Sequence, residues 1–140
     1  PGISSAASDV YKRQALYRSP DSTINKLTFI SSNKNLEINL ITKPIDENLD
    51  LSNELINDFK ERNFINVITK NEDFQTLDGD KGVKIFGSFD DQNLNRKKDY
   101  STILFVVNKL SIKLEIIYER GNANLQKIVD RVINSLKFNK

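Results

Sequence analysis

The chain contains no cysteine and no histidine. Disulfides, thiolate chemistry, imidazole bases and the commonest zinc ligands are therefore excluded from it. The absence of cysteine fits any redox compartment, because a domain of this length can be stable without disulfides. We expect no catalytic, cofactor-binding or metal-ligating residues and no bound cofactor.

Long apolar runs and a large excess of one charge are also missing. No apolar stretch approaches the roughly 20 residues that a membrane span requires, so we expect no transmembrane segment. The 21 basic and 19 acidic residues are interspersed along the chain, unlike the clustered basic surface of nucleic-acid-binding proteins. We therefore expect no nucleic-acid partner.

The beginning of the chain differs in origin from the remainder. Residues 4–14 read Ser-Ser-Ala-Ala-Ser-Asp-Val-Tyr-Lys-Arg-Gln, which is similar, codon for codon, to the translation of a transposase adapter used in sequencing libraries. Segments of this kind are set aside before the fold is argued, and we expect residues 1–14 to be an adapter-derived, disordered artefact. The chain has no methionine, so we expect residues 15–140 to be a single, N-terminally truncated domain that begins upstream of Ala15.

A predicted hairpin lies near the middle of the chain. Asp78 and Gly79 separate two stretches typical of strands, and this pair readily supplies the positive φ angles of a tight turn. Gly82 and Gly87 are unusual inside the strand that follows. We favour a bulge or a close helix crossing there, the alternative being the close approach of a ligand or another backbone.

Two helices are predicted, at residues 50–63 and 123–136, with Asp50 as the expected N-cap of the first. Their apolar stripes recur at helical spacing. The stripes are Leu51, Leu55, Ile56 and Phe59 in the first helix, and Leu125, Ile128, Val129, Val132 and Leu136 in the second.

About six strands are predicted around these helices, at residues 24–30, 36–42, 64–69 or on to 76, 83–89, 100–107 and 110–119. In the second, Leu36, Ile38 and Leu40 face the core, whereas Glu37 and Asn39 face away. Residues 103–107 are apolar at every position, so both faces of that strand need cover. The order ββαββββα and the hairpins predict an α+β fold, a three-layer α/β/α sandwich with a central antiparallel sheet.

Few residues suggest chemistry. Carboxylates in residues 90–99, with those near the hairpin turn, raise the question of calcium, but their spacing matches no calcium-binding loop. Side chains on two of the predicted strands could act as an acid, a base and an electrophile. However, alternating charges on a solvent-facing strand more commonly form an ordinary soluble surface. We therefore expect that the protein is not an enzyme. The residues considered are Tyr100, Lys113, Glu115, Tyr118 and Glu119.

The pattern resembles the PsbP family, whose fold is shared with a small nuclear protein that binds the Ran GTPase. The resemblance covers residues 24–138 and rests on the glycine-containing segment 77–85, the strand 111–118 and the closing helix 128–138, which ends in a serine-aromatic signature. It implies a non-enzymatic binding or assembly module. Bacterial relatives are often exported, some as lipoproteins, which implies a periplasmic or other extracytoplasmic location. Plant and cyanobacterial relatives attach to photosystem II, but no photosystem-specific residues match here.

Two functions follow as expectations. The first is a small exported or lipid-anchored module that binds a protein or cell-envelope partner through a surface or a sheet edge. The alternative is a carrier of a small apolar ligand, with the sheet gripping the last helix around a cavity as in the START-like fold. That fold usually has a longer final helix than residues 123–136, which span roughly 21 Å.

Overall fold

Strands dominate the described part of the chain, which comprises residues 2–3, 16–18, 24–45 and 51–139 of this computed structural model. Two helices accompany them, α1 (Leu51–Glu61) and α2 (Ala123–Asn134). In chain order the strands are β1 (Gly2–Ile3), β2 (Leu16–Arg18), β3 (Asn25–Ile30), β4 (Leu36–Pro44), β5 (Phe64–Gln75), β6 (Lys81–Asp91), β7 (Arg96–Val107), β8 (Leu110–Glu119) and β9 (Phe138–Asn139). Neither of these helices is long and apolar enough to cross a membrane.

The main sheet has seven strands in the order β2-β3-β4-β8-β7-β6-β5, and every pair is antiparallel. The predicted antiparallel α+β fold is confirmed, and β3 to β8 correspond to the six predicted strands. The structure adds β2, and it pairs β1 with β9 in a separate two-stranded ladder. Residues 1–14 had been expected to be disordered; of these, only Gly2–Ile3 fall among the described residues.

The two faces of the sheet belong to different cores, because successive side chains of a strand point to opposite faces. On what we call the α2 face, Ile103 and Phe105 of β7 pack with α2. On what we call the α1 face, Tyr100 and Leu104 of the same strand pack with α1. Apolar residues at consecutive positions of β7 are thus explained, as predicted, by cover on both sides, although Val106 is exposed.

Each helix buries most of its predicted stripe. Leu55 and Phe59 of α1 are buried, while Ile56 is exposed; Asp50 and the side chain of Leu51 lie outside the described residues. In α2, Leu125, Val129 and Val132 are buried, and so is Leu136, which follows the helix.

One position of the α2 stripe was assigned wrongly. Ile128 is exposed, and Ile133 is buried in its place. At about 100° per residue, Ile133 lies roughly 40° from Val129 around the helix axis, whereas Ile128 lies roughly 100° away. The Oδ1 atom of Asn122 caps this helix by accepting the backbone N–H of Leu125 at 3.1 Å.

The hairpin predicted at Asp78 and Gly79 is present, but its turn differs from expectation. Between β5 and β6 only Gly79 has a positive φ, and the backbone N–H of Thr76 donates to the carbonyl of Asp80 at 2.9 Å. This is a three-residue loop, not a two-residue turn. Between β7 and β8, Asn108 and Lys109 both have positive φ angles, 51° and 63°, as a tight type I′ turn requires.

The glycines of β6 lie where neighbouring strands approach closely. A Cβ on Gly87 would lie 1.8 Å from the carbonyl oxygen of Ile68, beside a bulge in β5 between Ile65 and Ile68. A Cβ on Gly82 would lie 2.5 Å from the carbonyl oxygen of Leu104 and 2.6 Å from the ring of Phe105. The backbone of a neighbouring strand approaches both glycines, which is the alternative considered for these positions, and the bulge lies in the partner strand β5.

Regular structure extends into residues 90–99, which lie between two of the predicted strands. β6 continues to Asp91 and β7 begins at Arg96. Asp91 pairs with Arg96, and Asp90 with Lys97, so opposite charges face each other across the strands and stabilise the pairing. Within the described ranges, no group of three or more acidic residues is arranged to hold a metal ion.

Candidate functional site

A line of polar side chains crosses the α1 face. The strand registers place Thr28 of β3 beside Asn39 of β4, Asn39 beside Glu115 of β8, and Glu115 beside Thr102 of β7. We call these four residues the polar row. Asn39, Glu115 and Thr102 are 1%, 2% and 0% exposed, so the row lies buried between the sheet and the layer above it.

Asn39 connects the members of the row. Its Oδ1 accepts from Thr28 Oγ1 at 2.8 Å, and its Nδ2 donates to Glu115 Oε1 at 3.1 Å and to Glu37 Oε2 at 2.7 Å. An amide offers both donors and acceptors. Asn39 can therefore bridge a hydroxyl on one side and two carboxyl groups on the other.

Arg62, immediately after α1, lies over the same carboxyl groups. One of its terminal nitrogens donates to both oxygens of Glu37, at 2.9 and 2.7 Å, and the other approaches Glu115 Oε1 at 3.4 Å. Its guanidinium carbon lies 4.7 Å from the centre of the Phe64 ring. Charge-assisted contacts of this kind hold the end of α1 against the sheet.

Burial shifts the pKa of Glu115, the one titratable member of the polar row. It raises the pKa of Glu115, whereas the positive charges of Lys113 and Arg62 act in the opposite direction. Oε2 of Glu115 and Oγ1 of Thr102 are both buried and make no hydrogen bond within the described structure. These two atoms belong to directly paired residues, so the least satisfied polar groups of this face lie side by side.

Two further polar groups are buried nearby. The amine of Lys98 donates to the backbone carbonyl of Lys34 at 2.7 Å, and burial lowers its pKa. The hydroxyl of Tyr100 donates to the carbonyl of Ile68 at 3.0 Å and lies 2.9 Å from Thr69 Oγ1; burial raises the pKa of Tyr100. Tyr100 thereby ties the bulged strand β5 to the interior of the sheet.

The residues considered for chemistry do not converge on one site. Tyr118 is buried in the α2 core, on the opposite face of the sheet from Tyr100. Lys113, Glu115 and Glu119 lie along the α1 face of β8, where Lys98 pairs with Glu119. The expectation that this strand exposes its charges is wrong for Glu115, and the expectation that Asn39 faces away from the core is wrong as well. The reason is that α1 and Arg62 cover this face.

Beyond the reach of α1, the same face carries an open groove of about 330 Å³. We call it the apolar groove. Its apolar lining includes Val83, Leu104, Phe105 and Val106, and its polar lining residues are Lys81 and Ser111. Val83 is 41% and Val106 60% exposed, so these side chains are accessible from solvent.

Comparisons with known proteins bear on the fold. No family model and no curated protein matches the chain. The chain is similar in structure to the crystal structure of PA94 from Pseudomonas aeruginosa, a protein of unknown function suggested to be a regulator. The TM-score is 0.52 at 10% sequence identity, over 91% of this chain and 97% of that one. The likeness supports the antiparallel α+β architecture.

Sequence reasoning missed the partners that complete the buried site. Arg62, Thr28 and Thr102 were not identified, and Asn39 was assigned to the side facing away from the core. One signal was present, because Glu115 lies between Leu114 and Ile116 in a strand of high apolar content. A charge in such a strand needs a partner if both faces are covered.

Proposed function

We propose that this protein is a non-enzymatic binding or assembly module whose protein partner inserts apolar side chains into the apolar groove. The observation that carries the proposal is the exposure of Val83 and Val106 on a sheet face that α1 covers only in part. Accessible apolar side chains clustered on a surface mark sites of interaction in soluble proteins. An extended or helical segment with one or two apolar anchors fits a groove of this size.

The burial of Glu115 supports a function without catalysis. At 2% exposure, beneath α1 and Arg62, its carboxyl group lies out of reach of a substrate in solution. A catalytic acid or base must come within hydrogen-bond distance of the group it serves. The hydrogen bonds and the ion pair of the polar row instead connect α1 to β4 and β8, which is a structural role.

A carrier of a small apolar ligand is the second candidate. The volume of the groove favours it, because small-molecule sites commonly measure about 300–1,000 Å³. The exposure of Val83 and Val106 favours the docking module, since a carrier encloses most of its ligand. Moreover, α2 packs directly on the sheet through Leu125, Val129 and Val132, so the groove on the α1 face is where such a ligand would bind.

The cellular setting of the module rests on the PsbP resemblance. We propose an exported or lipid-anchored bacterial protein with a three-layer α/β/α domain that works outside the cytoplasm, on a protein of the cell envelope. The separate cores beneath α1 and α2 support the three-layer arrangement.

The groove can be tested with a random peptide library displayed on phage and selected on the wild-type protein. We expect the enriched peptides to carry apolar anchors and to bind Val106→Asp at least tenfold more weakly, because a carboxylate in the groove loses hydration on binding. Ile128→Asp is the matched control, since Ile128 is also exposed, at 42%, but lies on α2.

A fluorescent fatty acid tested on the same three proteins separates the two candidates. Fatty-acid binding that Val106→Asp abolishes, together with no enriched peptide, would overturn the docking proposal in favour of the carrier. Peptides that bind wild type and Val106→Asp equally would show that the groove is not the interface.

A further inference from the structure

β5 is the last strand of the sheet, and its outer side faces solvent. Among the described residues, β5 has a strand neighbour on one side only, β6. Nine of its twelve residues are exposed. Its pairing with β6 is unbroken from Ile68 to Gln75, after the bulge that follows Ile65. This stretch, residues 68–75, is an open template for another strand, and we call it the free edge.

We infer that a second copy of this chain pairs with the free edge, in an antiparallel dimer whose two-fold axis passes through Asn71. The two-fold axis stands perpendicular to the sheet, so each α1 face continues into the α1 face of the other copy. Residues whose numbers sum to 142 then lie opposite each other. Such an interface uses the same surface of both subunits.

The side chains of the free edge are complementary to themselves in this register. On the α2 face, Lys70 lies opposite Glu72 of the second copy, and the symmetry makes this pair twice. On the same face, Ile68 lies opposite Phe74, again twice. Opposite charges and apolar pairs directly across two antiparallel strands stabilise their association. Ile68 is 56% exposed and Phe74 is half-buried against Phe105, so both have surface left to bury.

The other face of the free edge obeys the same symmetry. Asn71 lies opposite its own copy, where two amides can donate to and accept from each other. Thr69 lies opposite Asp73, and a hydroxyl can donate to a carboxylate. No like charges meet on either face.

Neighbouring registers lack this complementarity. Moving the axis to residue 70 places Lys70 opposite Lys70, and moving it to residue 72 places Glu72 opposite Glu72. Like charges directly across a strand pair destabilise it. At one end the bulge after Ile65, with Asn66 at a positive φ of 54°, interrupts the ladder. The charge pattern therefore selects the register centred on Asn71.

Sedimentation velocity of the full chain over a range of concentrations tests the dimer. We expect wild type to self-associate and Lys70→Glu to do so about tenfold or more weakly, because two attractive pairs become repulsive. Lys127→Glu is the control, since it makes the same change of net charge at an exposed position on α2. The double variant Lys70→Glu/Glu72→Lys restores both pairs and should dimerise like wild type.

A mixing experiment supplies the sharpest result. Glu72→Lys places a second lysine opposite Lys70, so this variant should be monomeric alone. When it is mixed with Lys70→Glu, each lysine lies opposite a glutamate, so the two variants should form a heterodimer. A wild type that stays monomeric at every concentration would overturn the inference, as would a Lys70→Glu variant that dimerises like wild type. In the folded chain Glu72 lies 3.5 Å from Lys84; if Glu72→Lys does not fold, Lys70→Glu against Lys127→Glu decides alone.

Discussion

The two faces of the sheet solve the problem of burial in different ways. The central part of the α2 face is apolar, and α2 covers it with Leu125, Val129, Val132 and Ile133. The α1 face combines an aromatic cluster around Phe59 with the polar row, and part of it stays open at the apolar groove. The core beneath α2 is closed chiefly by apolar packing, whereas the α1 face also depends on hydrogen bonds and an ion pair.

We therefore assign stability of the fold to the α2 face and recognition of a partner to the α1 face. Apolar burial is non-directional, and the core beneath α2 is buried from solvent, so this part of the α2 face serves the fold. A buried polar network stabilises one geometry only when every member is satisfied, and among the described residues Glu115 Oε2 and Thr102 Oγ1 on the α1 face find no hydrogen-bond partner. We therefore expect the two faces to respond differently to mutation and to pH.

The largest loss of stability should come from a change on the α2 face. Phe105 is 4% exposed and packs edge-on against Phe74 at 5.8 Å. Phe105→Ala should lower the free energy of unfolding by about 3–5 kcal/mol, the range for a buried aromatic. Urea unfolding measures this free energy. Val106→Ala is the control, because Val106 is the next residue and is exposed, and it should change the free energy of unfolding by no more than about 0.5 kcal/mol. A loss below about 1 kcal/mol for Phe105→Ala would contradict the packing described for this face.

Arg62→Ala, a change on the α1 face, should lower the free energy of unfolding by a smaller amount. It removes the cationic partner of Glu37 and Glu115, and we expect a loss of about 2–3 kcal/mol, because charged hydrogen bonds are removed and a buried carboxyl loses its ion pair. Lys60→Ala, at an exposed position of α1, is the control. Equal losses for the two variants in urea unfolding would mean that the polar network does not hold α1 in place.

The smallest predicted effect is a dependence of stability on pH that comes from the α1 face. A carboxyl group with a raised pKa in the folded state contributes stability that is complete below its unfolded value of 4.5 and is lost as pH rises through the folded value. Glu115→Gln should therefore show less decline in stability between pH 4.5 and neutrality than wild type. Glu61→Gln, exposed on α1, should behave like wild type. Parallel curves for Glu115→Gln and wild type in pH-dependent unfolding would contradict this.

Much of the fold could be predicted from the sequence because its signals are local. The alternation in residues 110–119, the apolar run at 103–107 and the turn residues at 78–79 identified strands and a hairpin within a few positions. The details of the turns were less accessible. Lys109 adopts a positive φ although it carries a side chain, and the register of the surrounding ladder imposes this conformation on it.

The site was harder to predict because it depends on contacts distant in the chain. Asn39 and Glu115 are separated by 76 positions, and alternation alone cannot tell a solvated face from one that a helix covers. Arg62 lay at the end of a predicted helix, where its partner depended on how α1 lies across the sheet. The two adjacent atoms of Glu115 and Thr102 that have no hydrogen-bond partner in the described part of the chain are neighbours because of the strand register, which local sequence patterns do not reveal.

Titration of the Glu115 side-chain carboxyl carbon by NMR tests most directly whether a charged group is buried beneath α1. Burial under α1 predicts a pKa above 4.5, the value of an unperturbed glutamate, and a return toward that value when α1 is displaced by Phe59→Ala. A pKa at or below 4.5 in the wild type would mean that Arg62 and Lys113 outweigh desolvation. The contrast between the two faces of the sheet would then be wrong.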